Sequence, residues 1–288
     1  MPFGDFPLTK KIAVVTGGGS GINLCFTELA VQKGARVLIA DLRLTPEAEK
    51  FVKETDPKVV KFVKCDVTKR TDLENLITVS EEEFGDVPDV YIAGAGVFEP
   101  PWSNFWDDTE ADRYAEVDIN INHPIKLSRI AIRALLRKNK KGVIVIVAST
   151  AGFAGYLAAP LYCATKHAMV GFVRSMAMME EREGIKVVGV APGIVKTPLW
   201  TPEKMSKWNT KDSQPEGYIL PETVAENMAS LVEDSQYVGG IFLETSASGL
   251  RTLGTWNIEA PAASTVANDS IEGLWKPALD ALKRERGG

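Results

Sequence analysis

An α/β fold is what the sequence predicts: a doubly wound sheet of seven parallel strands with helices on both faces. Three observations point to it. Short β-branched runs alternate with longer amphipathic ones through most of the 288 residues, which is the pattern of βαβ units. The candidate strands are near-continuously apolar, as strands covered on both faces must be. The segments between them are long enough for right-handed crossovers.

In chain order the strands are expected at Ile12–Thr16, Ala35–Ala40, Val59–Lys64, Asp89–Ala93, Val143–Ala148, Lys186–Val190 and Gly240–Leu243. Helical spacing predicts helices at about 21–33, 46–55, 71–84, 109–138, 161–183 and 221–234. Pro124 falls inside the fourth helix and predicts a kink or an irregular start, because proline brings no N–H to the ladder. Residues 1–247 read as one domain, without internal repeats or a low-complexity linker. Two segments break the rhythm. Residues 195–220, rich in Pro, Trp and Lys, read as a substrate lid. Residues 248–288 read as a C-terminal extension packed on the same domain or on a neighbouring subunit.

The composition, 45% hydrophobic and 25% charged, is that of a soluble globular chain. A net charge of −5 argues against a nucleic-acid groove, which needs clustered Lys and Arg. No apolar stretch reaches the ~18 residues of a membrane span. The start, MPFGDFPLTKK, has no basic segment followed by an apolar run, so no secretory signal is expected and a cytoplasmic location follows. Cys25, Cys65 and Cys163 are odd in number and lack C-x-x-C spacing; buried free thiols are expected, with no disulfide and no metal site. His123, beside Pro124, and His167 read as structural residues.

In doubly wound sheets ligands lie beyond the carboxyl ends of the strands. The first strand ends in TGGGSGIN, residues 16–23, and a helix follows. Main-chain N–H groups and a helix N-terminus converge there, which makes an anion site, and glycines permit close approach of a diphosphate. A plain βα turn is the competing reading, disfavoured by the strand–glycines–helix context. The second strand ends at Asp41, 24 residues after Gly17. A carboxylate there can accept both ribose hydroxyls and would repel a 2′-phosphate, favouring NAD(H) over NADP(H). Arg43, two residues on, is a basic group without an assigned place. Ala93, Gly94 and Ala95 follow the fourth strand and suit a backbone passing under a flat ring. Ser149 follows the fifth strand, and Tyr162 and Lys166, four apart, share one helix face. An adjacent ammonium and a positively charged nicotinamide would lower the tyrosine pKa from its reference near ~10. Asn120 is a fourth polar candidate.

These residues together are similar to those of the short-chain dehydrogenase/reductase family, over about residues 8–247. The resemblance rests on TGGGSGI at 16–22, Asp41, CDV at 65–67, AGAG at 93–96, Asn120, Ser149, Tyr162, Lys166 and PGIVKT at 192–197. It implies a Rossmann-type fold and points to the NAD-preferring, hydroxyprostaglandin-dehydrogenase-like or alcohol-dehydrogenase-like branch. By the resemblance, Tyr162 is the catalytic acid/base. Lys166 binds the nicotinamide ribose and lowers the tyrosine pKa, Ser149 orients the substrate oxygen, and Asn120 holds a water in a proton relay. Thr16, Gly17, Gly19, Ser20, Gly21 and Ile22 would cradle the diphosphate. Asp41 and Leu42 would meet the ribose, and Asp66 and Val67 would flank the adenine. Pro192, Gly193, Val195 and Thr197 would wall the nicotinamide. Two positions depart from the pattern: Asn23 stands where the family's turn has its last glycine, and Ala93-Gly94 where it usually has Asn-Asn.

All six tryptophans fall at or after residue 102. Phe98, Trp102, Phe153, Tyr156, Trp200, Met205 and Trp208 follow strand ends and are expected to build an apolar substrate pocket. The competing reading places several of them in a lid or a subunit interface. The expected activity is NAD(H)-dependent interconversion of a hydrophobic secondary alcohol and its ketone, by a homodimer or homotetramer. The alternatives are a cofactor-binding scaffold without redox turnover, or a non-redox epimerase or cyclisation template.

Overall fold

The computed structural model describes residues 3–200, 218–253 and 278–286. The N-terminal half winds as β1 (Ile12–Thr16), α1 (Gly21–Gln32), β2 (Arg36–Asp41), α2 (Pro46–Glu54), β3 (Val60–Lys64), α3 (Arg70–Phe84) and β4 (Val90–Ala93). A short helix α4 (Ala115–Val117) leads through a π-turn (Asp118–Asn122) into α5 (His123–Arg137). Then come β5 (Gly142–Val147), α6 (Pro160–Ser175), α7 (Met179–Glu183), β6 (Ile185–Pro192), α8 (Pro221–Glu233), β7 (Phe242–Ser246) and β8 (Gly249–Leu253). Residues 278–286 are helical, α9.

The sheet runs β3-β2-β1-β4-β5-β6-β7-β8. Strands β1 to β7 pair in parallel, as expected, and β8 adds an antiparallel edge to β7. Eight strands therefore replace the seven expected. Strand β8 lay in the segment read as an extension because it is exposed along its length and carries no apolar pattern.

Alternation within each strand makes two apolar layers. Ala13 and Val15 of β1 join Phe26 of α1 and Val224 and Met228 of α8 on one face. Ile12 and Val14 join Leu73 and Leu76 of α3 and Leu127 of α5 on the other. This three-layer sandwich is the expected Rossmann-type fold.

Two helices differ from expectation. The fourth starts at Ala115 instead of 109 and passes through the π-turn just before Pro124. The fifth is interrupted between Ser175 and Met179. Helix α9 is tied to the body by ion pairs of Glu285 with Arg129 on α5 and of Arg286 with Glu183 on α7. All three cysteines are free thiols, and burial pushes Cys25 up to about 11 and Cys65 up to about 12.

Candidate active site

Strand order reverses between β1 and β4, so the chain leaves these neighbours towards opposite faces and opens a crevice at their carboxyl ends. The cleft there measures about 920 Å³ among the described residues. That is at the upper end for ligand pockets and leaves room for a long, two-part ligand.

Its first wall is the turn into α1. Gly17 and Gly21 hold φ of +70° and +56°, a region glycine enters without strain. A side chain on Gly17 would meet the Ala95 backbone at 2.7 Å, so the turn and the end of β4 touch. Ser20 caps α1 without a side-chain hydrogen bond and lines the cleft with Ile22. The Asp41 carboxylate accepts the N–H of Gly19 at 2.9 Å and that of Leu42 at 2.7 Å. Leu42, Asp66 and Val67 line the same end, and Arg43 stands there too. Gly94, Ala95, Pro192, Gly193, Val195 and Thr197 line the rest.

Three expected cofactor contacts are corrected. Thr16 is buried beneath the cleft, its hydroxyl donating to Ile92 O at 3.0 Å and accepting from Gly94 N at 3.1 Å. Ala93 is buried inside β4. Gly19 does not line the cleft, because its N–H is turned onto Asp41.

Ser149, Tyr162 and Lys166 converge on the opposite wall. The Ser149 hydroxyl donates to Pro192 O at 3.4 Å and stands close enough to the Tyr162 phenol to draw its pKa down. The Lys166 ammonium donates to Val147 O at 3.0 Å and lies 5.4 Å from the Tyr162 ring centre. The expected lowering of the phenol pKa is reversed in the protein alone. Desolvation pushes Tyr162 above its ordinary value, the Ser149 hydroxyl opposes this, and the Glu116 carboxylate adds to it. Burial likewise brings Lys166 down to about 8, against the pull of Glu116.

Asn120 is buried and does not reach the cleft surface. Its side chain clamps Val97 from both sides, accepting Val97 N and donating to Val97 O, each at 2.9 Å. The side chain is thus committed to the loop after β4. Its carbonyl differs: Pro124 has no N–H to offer it, so the normal helical donor four residues on is missing.

His123 supports this turn and is structural, as expected. Its Nδ1 lies 3.1 Å from Ile119 O, which can only accept, so Nδ1 carries the proton and Nε2 is an acceptor that competes with Ile92 O for the single hydrogen of the Thr16 hydroxyl, 3.0 Å from each. Burial pushes its pKa down from 6.5 to about 4. Between these values the unfolded chain binds a proton that the fold refuses, so stability falls as pH drops through this window. Wild type is expected to lose about 3 kcal/mol more than His123→Asn between pH 6.5 and 4, measured by urea unfolding.

Two carboxylates escaped the sequence reading. Helix α6 begins with Pro160, which leaves the N–H of Tyr162 an orphan donor in the first turn. Glu99 Oε1 accepts it at 3.0 Å. Glu99 itself holds φ +34°, uncommon for a side-chain residue, and its own N–H donates to the fully buried Glu116 at 3.2 Å. Glu116 also faces Asn120 Nδ2 at 3.4 Å, one helical turn on. A carboxylate four residues before Asn120 was the available signal. Glu99→Ala should lower stability by about 1 kcal/mol, the worth of a cap, and reduce turnover. Glu99→Gln, which keeps an acceptor, should recover most of both in parallel thermal unfolding and rate assays.

Phe98, Tyr156 and Trp200 line the cleft. Phe98 packs edge-on against Tyr162 at 4.8 Å and tilted against Trp200 at 5.0 Å. Two expected pocket residues are corrected. Phe153 packs edge-on against Phe242 and under Arg174, away from the cleft, and Trp102 is 53% exposed outside it. Met205 and Trp208 lie outside the described residues.

A doubly wound sheet with a glycine cradle at its switch point, and serine, tyrosine and lysine on the facing wall, defines a dinucleotide-type oxidoreductase. The short chain dehydrogenase family model matches residues 11–208. Momilactone A synthase of Oryza sativa subsp. japonica is 35% identical over 264 residues, covering 92% of this chain and 93% of that protein. The 15-hydroxyprostaglandin dehydrogenase [NAD(+)] of Rattus norvegicus is 27% identical, covering 83% and 92%. Galactitol 2-dehydrogenase of Agrobacterium fabrum is also 27% identical, covering 88% and 97%. Among solved structures, that of gox2181 superposes with a TM-score of 0.70 at 28% identity, covering 83% and 95%. The chain belongs to the short-chain dehydrogenase family and is an oxidoreductase acting on CH–OH donors. No helix among the described residues is long and apolar enough to cross a membrane, and no group of metal-binding side chains occurs among them.

Proposed function

We propose that the protein interconverts a hydrophobic secondary alcohol and its ketone with NAD(H), Tyr162 exchanging the proton. The observation that carries this is the placement of Ser149, Tyr162 and Lys166 beside Phe98 and Trp200, across one cleft from the glycine cradle. The cradle fits a dinucleotide: a methyl group on Gly17 would strike the Ala95 backbone at 2.7 Å, so that wall stays bare main chain. A bound nicotinamide would supply the hydride acceptor or donor.

The chain's own residues do the rest. Ser149 holds the substrate oxygen next to the Tyr162 phenol, which gives or takes the proton at its oxygen. Lys166 sets the charge beside that phenol, and the phenyl and indole faces hold an apolar substrate and keep water out. Asp41 accepts ribose hydroxyls and disfavours a 2′-phosphate. The relative from Rattus norvegicus carries NAD(+) in its name, which supports the same preference. Assembly as a homodimer or homotetramer, with a small apolar molecule and neither nucleic acid nor membrane as partner, and a cytoplasmic location belong to the same proposal. So does a lid over residues 195–220, whose central part lies outside the described residues.

The test is nicotinamide reduction at 340 nm across a panel of hydrophobic secondary alcohols, with NAD and NADP in parallel. Turnover with NAD supports the proposal. Binding of NADH without turnover on any of the panel would favour a scaffold.

A further inference from the structure

The two departures from the family pattern, Asn23 and Gly94, touch each other. Asn23 sits in the first turn of α1, is 8% exposed and lines the cleft. Its Nδ2 donates to Gly94 O at 2.9 Å. Gly94 is not among the glycines with positive φ, so its backbone would accept any residue. What forbids a side chain there is space alone. A methyl group on Gly94 would lie 2.2 Å from Asn23 Oδ1 and 2.5 Å from both Cγ and Nδ2, and these three atoms are its nearest neighbours.

Asn23 Oδ1 is buried without a hydrogen-bond partner. It faces along the position of a Gly94 α-hydrogen, a weak donor at best. A buried amide oxygen left this way is destabilising, and its retention needs a reason outside stability. The contact's location supplies one. Asn23 Nδ2 is also 3.1 Å from where a Gly17 side chain would begin, so the amide sits among the cradle turn, α1 and the end of β4. Two residues beyond Gly94, a side chain on Gly96 would begin 3.3 Å from Asn120 Oδ1 and 3.8 Å from Lys166 Nζ.

We infer that Asn23 and Gly94 are a matched pair, with Asn23 a positioning residue that sets the cleft floor, residues 94–96, between the diphosphate cradle and Lys166. Gly94 has no side chain to tie the floor down, and the amide of Asn23 does so from the cradle wall. The inference rests on the reading of the cleft as a dinucleotide site.

Its test is a double-mutant cycle of Asn23→Ala, Gly94→Ala and the double variant, read by thermal unfolding without cofactor and by NADH fluorescence titration. Gly94→Ala should lower the melting temperature and weaken NADH binding by about tenfold, because the methyl forces the amide out. Asn23→Ala should weaken binding by about threefold through the lost hydrogen bond. The double variant should bind within about threefold of wild type and melt above Gly94→Ala, a coupling expected only of residues in contact. If Gly94→Ala fails to fold, folding of the double variant is the rescue. Additive effects with tight wild-type binding overturn the pair while leaving the dinucleotide reading intact. Wild-type protein that binds neither NADH nor NADPH overturns both the dinucleotide reading and the positioning role.

Discussion

Tyr162→Phe is expected to lower kcat by about a hundred- to ten-thousandfold, the usual worth of a positioned acid or base. The substitution removes one hydroxyl and leaves the ring, which keeps its edge against Phe98, so the fold and cleft should survive. NADH affinity should change by no more than about tenfold, since at most one neutral hydrogen bond is lost. Because desolvation holds the phenol above its ordinary pKa, the protein alone carries it protonated at neutral pH. That is the form needed to give a proton to a ketone. Alcohol oxidation needs the deprotonated form, so the oxidative rate should climb with pH while the reductive rate stays flatter. Steady-state kinetics in both directions from pH 6 to 10 checks this. Undiminished kcat in Tyr162→Phe would move the proton transfer to another group.

Asp41→Ala should lower the preference for NAD over NADP by about a hundredfold, since a like-charge encounter costs several kcal/mol and each 1.4 is tenfold. Two effects act together here. The substitution removes the carboxylate that repels a 2′-phosphate, and it leaves Arg43 with only Asp66 as a charged neighbour at that end of the cleft. NAD affinity should also fall, because Asp41 holds the N–H of Gly19 and so shapes the cradle. The ratio of kcat/KM for the two cofactors is the measurement. A wild-type preference for NADP would mean that Arg43 outweighs Asp41.

What was legible in the sequence was whatever depends on near neighbours in the chain. Strand β1 has the expected bounds because an apolar run stops abruptly at glycines. The irregular start of α5 follows from Pro124, whose missing N–H is a local fact. Strand β8 was hidden because it is held by pairing with β7 and not by apolar pattern. Phe153 follows a strand end as Phe98 does, yet beyond the turn at Thr150–Gly152 it packs on Phe242, a contact 89 residues away in the chain. The Glu99 contact with Tyr162 N spans 63 residues, so no local spacing could announce it. Asn23 and Gly94 each looked like a defect in a motif, and only their contact, 71 residues apart, makes them one feature.

The switch point has a consequence for how the chain reaches this state. Strands β1 and β4 lie side by side, yet their bridging bond from Ile12 N to Asp89 joins residues 77 apart. Helices α1, α2 and α3 need only local contacts and can form early, whereas β1 cannot meet β4 until the loop between them is closed. The cradle and the floor therefore come together only when that long-range pairing is complete. During synthesis the cradle side of the cleft cannot form until β4 has emerged, and the facing wall of Ser149, Tyr162 and Lys166 joins it later still.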